Sequence, residues 1–291
     1  MLLCDYRPER ARLLDGRGLR LIDTSGEHHV HVSASVDPQR LAQVDAALIL
    51  VKAYQTEQVA ALLAEYLSPD AVVLTLQNGL GNLETLQVHL GQDRVFGGTT
   101  AQGALLEAPG LVLDTGSGPT VLGRYDGQPD HRLDEIAEAL LLAGFSVSIT
   151  QDVQAAIWTK AILNAAINPV AALTRLRNGQ LAEHEPSLRV MTAAAREAYT
   201  IAHKHGVKLI RQDWRARLQT VCQSTAPNIN SMLKDVLLHR HTEIDALNGA
   251  ITRIAEQYKL PVTVNRTLWY LISTMEESYD RQVPAGNDAE G

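Results

Sequence analysis

The chain has 291 residues, of which 45% are hydrophobic and 20% are charged, and its formal net charge is −7 at pH 7. This length allows one or two domains with a full hydrophobic core, and the composition is ordinary for a globular protein. The negative charge argues against a general nucleic-acid binder, which would present a basic face. A small anionic ligand stays open, because a few local cations suffice to bind one.

Cysteine usage and hydropathy predict the compartment. Cys4 and Cys222 are the only cysteines, and their spacing does not suit a metal, so we expect free thiols in a reducing cytosol and no metal site. Charged residues interrupt the first dozen positions, and no signal peptide is expected there. No uninterrupted apolar run approaches the roughly 20 residues that span a membrane. The sequence therefore predicts a cytoplasmic protein that binds neither membrane nor nucleic acid.

The first half of the chain alternates short apolar runs with helical patterns. It opens on an apolar run that ends at Asp5, which is typical of a buried strand that leads into a helix. Further strands are predicted at 19–23, 29–34, 46–52, 71–77, 94–100, 111–116, 119–126 and 145–149. Helices are predicted at 55–66, 80–90 and 131–143. This alternation predicts a parallel, doubly wound α/β sheet, with strands 46–52 and 71–77 buried on both faces.

The second half shows only helical patterns. Apolar residues recur at helical spacing in QAAIWTKAILNAAI, SLRVMTAAAREAYTIAHKHG, DWRARLQTVCQ and NSMLKDVLLHRHTEIDALNGAITRIAEQY. We therefore predict a doubly wound domain over 1–150, an all-helical domain over 151–280 and a disordered tail over 281–291.

Two polar stretches follow predicted strands. Lys52 ends the strand at 46–52, and Asn78 follows the strand at 71–77, next to Gly79 and Gly81. Open α/β sheets bind ligands outside the carboxyl ends of their strands. The residues alone also allow a lysine that reaches solvent and an ordinary Asn-Gly turn.

A third polar stretch lies on a helix. Lys160, Asn164 and Asn168 are spaced by four residues, which places them on one helix face among small and apolar neighbours. This predicts a polar pocket, although a partly exposed polar stripe would show the same spacing. Pro169 is predicted to end or kink the helix and to free carbonyls near Asn168.

A fourth stretch combines Asn228, Ser231 and Glu243. Asn228 and Ser231 are one helical turn apart if Pro227 lies in a first turn, and Glu243 follows Ser231 by twelve residues. Taken singly, each has an ordinary explanation as a helix-end residue or a solvated charge.

Together, four motifs carry a resemblance. The segments LVKAYQ, LQNGLGN, WTKAILNAAINPVAALTRLRNGQL and NINSMLKDVLLHRHTEIDALNG, in this order, resemble ketopantoate reductases (2-dehydropantoate 2-reductases) over about residues 1–280. The resemblance implies a Rossmann-type nucleotide-binding domain followed by an all-helical domain. It also implies NADPH-dependent reduction of 2-dehydropantoate to (R)-pantoate, on the route to pantothenate and coenzyme A.

The same resemblance implies a role for each polar residue. Lys160 matches the catalytic lysine, the proton donor to the developing alkoxide, and Glu243 matches a glutamate that contacts the cofactor and helps to hold the site. The implied cofactor contacts are Lys52, Asn78, Gly103 and Glu243. The implied substrate contacts are Asn78, Asn164, Asn168, Asn178, Asn228 and Ser231.

The residues near the first strand bear on the choice of cofactor. Asp5 is the residue type that binds a ribose 2′-hydroxyl, whereas Arg7 close by suits a 2′-phosphate. The family favours NADPH.

The family begins with a strand, a GxGxxG loop and a helix, and this sequence contains no GxGxxG. Its opening residues align with the second strand, so we expect an N-terminally incomplete sheet with unpaired backbone where the central first strand would lie. One hypothesis is that the gene product starts further upstream, and the alternative is a truncation with weak or no activity.

Two other functions remain alternatives. One is a related reductase that acts on a different small 2-ketoacid. The other is a non-catalytic remnant that uses its helical half as an interaction module, in which case a homodimer would form.

Overall fold

The computed structural model describes residues 1–282, so the predicted tail lies outside the described residues from position 283 onward. The chain divides into two compact units. The first comprises Met1–Val51, Gln55–Gln77 and Asn82–Ala156. The second comprises Lys52–Tyr54, Asn78–Gly81 and the chain from Ile157 onward. The second unit thus includes two short segments that begin three residues after strands of the first end.

The first unit contains eleven strands and four complete α-helices among the described residues. The strands are β1 Leu2–Cys4, β2 Leu19–Asp23, β3 Gly26–Val30, β4 Ser33–Ser35, β5 Ala46–Ile49, β6 Val72–Thr75, β7 Val95–Thr100, β8 Gly103–Ala108, β9 Leu111–Gly116, β10 Thr120–Gly123 and β11 Val147–Ile149. The helices are α1 Pro8–Arg17, α2 Thr56–Tyr66, α3 Asn82–Leu90 and α4 His131–Leu142. The α/β class and the predicted helices are confirmed.

The main sheet has five strands in the order β11-β10-β7-β6-β5. All four residues of β6 are buried, as its continuous apolar run predicts, and its Leu74 packs with Phe96, Leu122 and Leu133 of α4 in the core. The prediction of an all-parallel sheet is wrong at one pair, because β10 runs antiparallel to β7. These two strands are connected through the strands β8 and β9, so no crossover helix forces them to be parallel.

A second sheet has the order β3-β2-β9-β8. The carboxylate of Asp23 accepts hydrogen bonds from the amides of Ser25 and Gly26, which closes the turn between β2 and β3. The predicted strand 29–34 is divided between β3 and β4. The sequence did not predict β8, since its half-exposed run lacks a clear alternation of apolar and polar residues.

β1 and β4 form a separate parallel pair. Among the described strands, none pairs with both β4 and β5, and β5 pairs with β6 alone. The predicted burial of strand 46–52 on both faces is therefore wrong: the strand ends at Ile49, and Leu48 is 45% exposed.

Among its described residues the second unit contains helices and no strands, as predicted. Its helices are α5 Val153–Thr174 (which begins in the first unit), α6 Asn178–Glu183, α7 Glu185–Lys204, α8 Trp214–Ser224, α9 Ser231–Leu237, α10 Ala250–Gln257 and α11 Thr263–Glu277. One π-helical turn, Asp245–Gly249, precedes α10. The long amphipathic pattern that starts at α9 is interrupted between residues 238 and 244.

α5 is long and apolar enough to cross a membrane by length and composition. Of its most apolar window, 61% is buried inside the protein, as in the core helix of a soluble protein. Of the two predicted effects of Pro169, an end or a kink, the helix end does not occur, because α5 continues to Thr174. The carbonyl that a proline leaves without its helical donor is the one four residues earlier, at Ala165, and that carbonyl accepts a hydrogen bond from Asn248 Nδ2 at 3.0 Å.

Candidate active site

Lys52 is held by two buried carboxylates of its own unit. Its Nζ lies 2.6 Å from Asp235 Oδ2 and 3.9 Å from Glu243 Oε2. The backbone amide of Ala53 donates to Glu243 Oε1 at 3.1 Å, which fixes the same carboxylate from a second side. Burial disfavours the charge on Lys52, but Glu243 and Asp235 outweigh that cost and raise its pKa above the ordinary lysine value. The lysine is therefore an ion-pair partner rather than a side chain that merely reaches solvent.

The segment after β6 is docked on the π-helical turn. The amide of Leu80 donates to the carbonyl of Ala246 at 2.8 Å. Gly79 has a φ of +92°, and a Cβ there would lie 2.8 Å from the Ala246 carbonyl oxygen. Glycine is thus required at this position by a positive φ and by close packing against Ala246, and together they set the backbone beside half-buried Asn78.

Lys160 is a half-buried lysine on α5. Burial penalises its charged form and lowers its pKa to about 8, although the carboxylate of Glu243 opposes part of that effect. A lysine with this pKa carries a proton at neutral pH and releases it far more readily than an ordinary lysine. The arrangement can donate a proton to a developing oxyanion.

Asn164 and Asn168 follow Lys160 along α5, and because the helix is unbroken all three lie on one face. Asn164 is half-buried and Asn168 is buried. The structure thus shows the predicted polar row on a helix that is mostly buried.

Asn178 is the first residue of α6, and its side chain is used within the helical unit. Its Nδ2 donates to Thr225 Oγ1 at 2.9 Å, and its Oδ1 accepts from Asn230 Nδ2 at 3.3 Å. Its backbone amide donates to the carbonyl of Asn228 at 3.1 Å. Asn178 therefore ties the start of α6 to the loop that precedes α9.

Asn228 and Ser231 are both exposed at the start of α9. The prediction that Asn228 lies in a first helical turn is wrong, because Asn230 is the N-cap and its side chain accepts from the amide of Leu233. Ser231 is the first helical residue, so the two lie on either side of the cap and not one helical turn apart.

Arg7 and Gly103 belong to the first unit. The side chain of Arg7 is exposed, and its guanidinium lies 5.2 Å from the centre of the Tyr6 ring. Beside it, Asp5 is paired with Arg10; burial works against the charge, but this pairing lowers the pKa of Asp5. A Cβ on Gly103 would lie 2.5 Å from Thr115 Oγ1, so the packing of β8 on β9 explains this glycine without a ligand.

Asp235 is a candidate site residue that the local sequence pattern does not reveal. It is buried on α9 directly after Lys234, in a pattern that resembles an ordinary solvated charge pair. Its partner Lys52 is 183 residues away in the chain, and no local pattern reports such a contact. Within residues 1–282, no group of three or more His, Cys, Asp or Glu side chains could hold a metal ion.

An α/β unit followed by a helical unit that carries a half-buried lysine with a lowered pKa is the arrangement expected of a two-domain enzyme with a candidate acid–base group. Two family models match the chain: Ketopantoate reductase PanE/ApbA over residues 1–127, and Ketopantoate reductase PanE/ApbA C terminal over residues 152–276. The chain belongs to the ketopantoate reductase family, whose members are NAD(P)-dependent oxidoreductases.

Individual relatives agree with the family. The 2-dehydropantoate 2-reductase of Halobacterium salinarum is 36% identical over 93% of this chain and 89% of that protein. A PanE/ApbA family ketopantoate reductase from Ralstonia eutropha is similar in structure, with a TM-score of 0.86 and 31% identity over 94% of this chain and 90% of that one. D-mandelate dehydrogenase, solved with NADH and anilino(oxo)acetate, has a TM-score of 0.89 at 23% identity over 96% and 91%, and shares the fold. The curated relatives support ketopantoate reduction as the activity.

Proposed function

We propose that this chain catalyses the NADPH-dependent reduction of 2-dehydropantoate to (R)-pantoate, the step that leads toward pantothenate and coenzyme A. The observation that carries the proposal is Lys160, a half-buried lysine whose pKa is lowered to about 8 on the same α5 face as Asn164 and Asn168. Reduction of a ketone requires hydride at carbon and a proton at the developing alkoxide. Lys160 is the proton donor in this proposal, and Glu243 keeps the lysine charged until transfer.

The residues after β5 and β6 fit a dinucleotide. A lysine cation and an asparagine amide are donors suited to phosphate, ribose and carboxamide groups, and Lys52 and Asn78 supply them. When bound, NADPH supplies the hydride. We assign its binding to the side chains of Lys52, Asn78, Glu243 and Arg7 and to the backbone of Gly103.

The surroundings of Arg7 favour NADPH over NADH. The Asp5 carboxylate already accepts from Arg10 and from the amide of Arg7, which leaves it poorly available for a ribose hydroxyl. The exposed Arg7 guanidinium is a fixed cation that suits a 2′-phosphate. Arg7→Ala should raise the KM for NADPH about tenfold and leave the KM for NADH unchanged. Arg12→Ala, which removes an exposed arginine from the helix α1 that Arg7 precedes, should change neither. Equal effects of Arg7→Ala on both cofactors would refute this assignment.

The substrate is a small 2-ketoacid, and its polar contacts are proposed at Asn164, Asn168, Asn178, Asn228, Ser231 and Asn78. Exposed Ser231 and half-buried Asn164 can reach a ligand with little rearrangement, whereas the Asn178 side chain is engaged with Thr225 and Asn230. We assign Asn178 to shaping the wall of the site. We also propose a cytoplasmic location, given two free cysteines in the chain.

The test is the loss of NADPH absorbance on addition of 2-dehydropantoate. Lys160→Ala should lower kcat by at least about a hundredfold, the scale of general acid catalysis. Lys208→Ala removes an exposed lysine of the helical unit and is the matched control that should retain activity. No turnover by a folded protein that still binds NADPH would favour a different 2-ketoacid, to be found with a substrate panel. No dinucleotide binding at all would favour the non-catalytic alternative.

A further inference from the structure

Two fully buried asparagines form a polar chain through the helical unit. Asn248 and Asn265 are both 0% exposed. Asn248 Nδ2 donates to the carbonyl of Ala165 and to Asn265 Oδ1, each at 3.0 Å. Both partner atoms are acceptors, so they determine the orientation of the Asn248 amide. In the reverse orientation, Asn248 Oδ1 would face two other oxygen atoms.

The Ala165 carbonyl has a specific need for this donor. In a regular helix it would accept from the residue at 169, but that residue is proline and has no N–H. A buried carbonyl without a donor is strongly unfavourable. Asn248 replaces the missing helical hydrogen bond from another segment of the chain.

The other end of the polar chain is fixed as firmly. Asn265 Nδ2 donates to the carbonyl of Ala194 on α7 and to Glu197 Oε2, at 2.9 and 3.0 Å. The Glu197 carboxylate also accepts the amides of Val264 and Asn265 in the first turn of α11, each at 3.0 Å. An anion at a helix N-terminus is stabilised by the helix dipole. The network therefore anchors Asn248 to α7 and α11.

The two segments that Asn248 joins are those that carry the site. Lys160 lies on α5 five residues before Ala165, and Glu243 lies five residues before Asn248. The amide of Leu247 donates to the Glu243 carbonyl at 3.1 Å, so Glu243 and Asn248 belong to one hydrogen-bonded stretch. We propose that Asn248 is a positioning residue for the proposed reductase site: its buried amide sets the Lys160 helix against the Glu243 segment by completing the hydrogen bond that Pro169 removes.

This positioning role rests on the proposed function, and the measured quantity that reports it is the pKa of Lys160. The lowered pKa of Lys160 comes mainly from burial, so a loosened contact between α5 and the Glu243 segment admits water. Loss of Asn248 should then raise that pKa toward the ordinary lysine value, and turnover should fall about tenfold because the donor is misaligned.

The experiment compares Asn248→Ala, Pro169→Ala and the double variant. Pro169→Ala restores the N–H within α5, so it should be nearly silent alone and should recover part of the lost turnover and the low Lys160 pKa when Asn248 is absent. Leu181→Ala deletes a fully buried side chain of α6 outside the network and controls for general destabilisation. The lysine pKa is read by NMR with isotope-labelled lysine. The chain has only six lysines, and Lys160→Arg assigns the signal.

The NMR readout needs no substrate, so it separates this proposal from the proposed function. A raised Lys160 pKa in Asn248→Ala, absent in Leu181→Ala and reversed in the double variant, supports the positioning role even if 2-dehydropantoate proves to be the wrong substrate. An unchanged Lys160 pKa in folded Asn248→Ala, or no recovery by Pro169→Ala, overturns it. If Asn248→Ala does not fold while the double variant does, the hydrogen bond to the Ala165 carbonyl is the interaction that Asn248 supplies, which supports the proposal. If neither variant folds, Pro169→Ala does not compensate for the loss of Asn248, and the proposal is overturned.

Discussion

Replacing Glu243 with glutamine removes one negative charge from the site and keeps an oxygen that can accept from the amide of Ala53. The carboxylate lies 3.9 Å from Lys52 Nζ, where the attraction is about 4 kcal/mol at an effective dielectric constant of about 20. Lys52 keeps Asp235 as its main partner and is partly exposed, so screening leaves a net loss of about 1 kcal/mol in the free energy of unfolding.

The larger consequence concerns Lys160. Burial lowers the pKa of Lys160 to about 8, and Glu243 raises it against that effect, so the Glu243→Gln variant should have a still lower pKa. A fall of about one pKa unit in the variant would correspond to about 1.4 kcal/mol of lost stabilisation of the charged lysine. At pH 8 the protonated fraction of Lys160 would then drop from about half to about one tenth, and turnover would fall about fivefold.

The assay is the pH profile of kcat/KM for NADPH oxidation. Because the protonated lysine is the active form, the alkaline limb should move to lower pH in Glu243→Gln. At a pH well below the Lys160 pKa of either protein, the variant should lose less activity than it does at pH 8. Glu277→Gln, at an exposed position of α11, should leave the limb in place. An alkaline limb that stays where it is, or moves to higher pH, would refute the reasoning.

Three further changes test the framework around the site. Asp235→Asn should lower the free energy of unfolding by about 1–2 kcal/mol in urea titrations, since Lys52 loses its shorter ion pair; an unchanged midpoint would contradict this. Gly79→Ala should destabilise by about 2 kcal/mol more than Gly81→Ala, because both have a positive φ but only Gly79 has atoms within contact of a new Cβ; equal costs would contradict the packing argument. The hydrogen bond from Arg132 holds the pKa of Asp130 below its ordinary value, so the stabilisation from Asp130 is present above about pH 4 and is lost as the pH falls. Asp130→Asn should therefore flatten the dependence of the free energy of unfolding on pH below about pH 4, and an unchanged slope would contradict this.

The local pattern predicted most elements because hydrophobic periodicity is a local property. Helices α2, α3 and α4 and the buried strand β6 fall where the spacing of their apolar residues predicts them. The row of Lys160, Asn164 and Asn168 on one helix face was also predictable, since it depends only on helical geometry.

The pattern could not report features that depend on distant partners. The burial of β5 depends on whether a strand lies beside it, and Asp235 becomes a site residue only through Lys52. Pro169 is a similar case: proline rules predict an interrupted helix, but a side chain far along the sequence supplies the missing donor. The roles of the individual site residues and the domain boundaries stay predictions.

The free edge of β5 affects how this polypeptide behaves in concentrated solution. Leu48 is 45% exposed and Leu50, just beyond the strand, is 63% exposed, beside backbone groups that pair with no described strand on that side. An apolar strand edge of this kind is a template on which further strands can add, as in domain swapping and fibrous aggregation. Colloidal stability, and with it the yield of monodisperse protein, is therefore expected to depend on concentration and on whatever covers this edge.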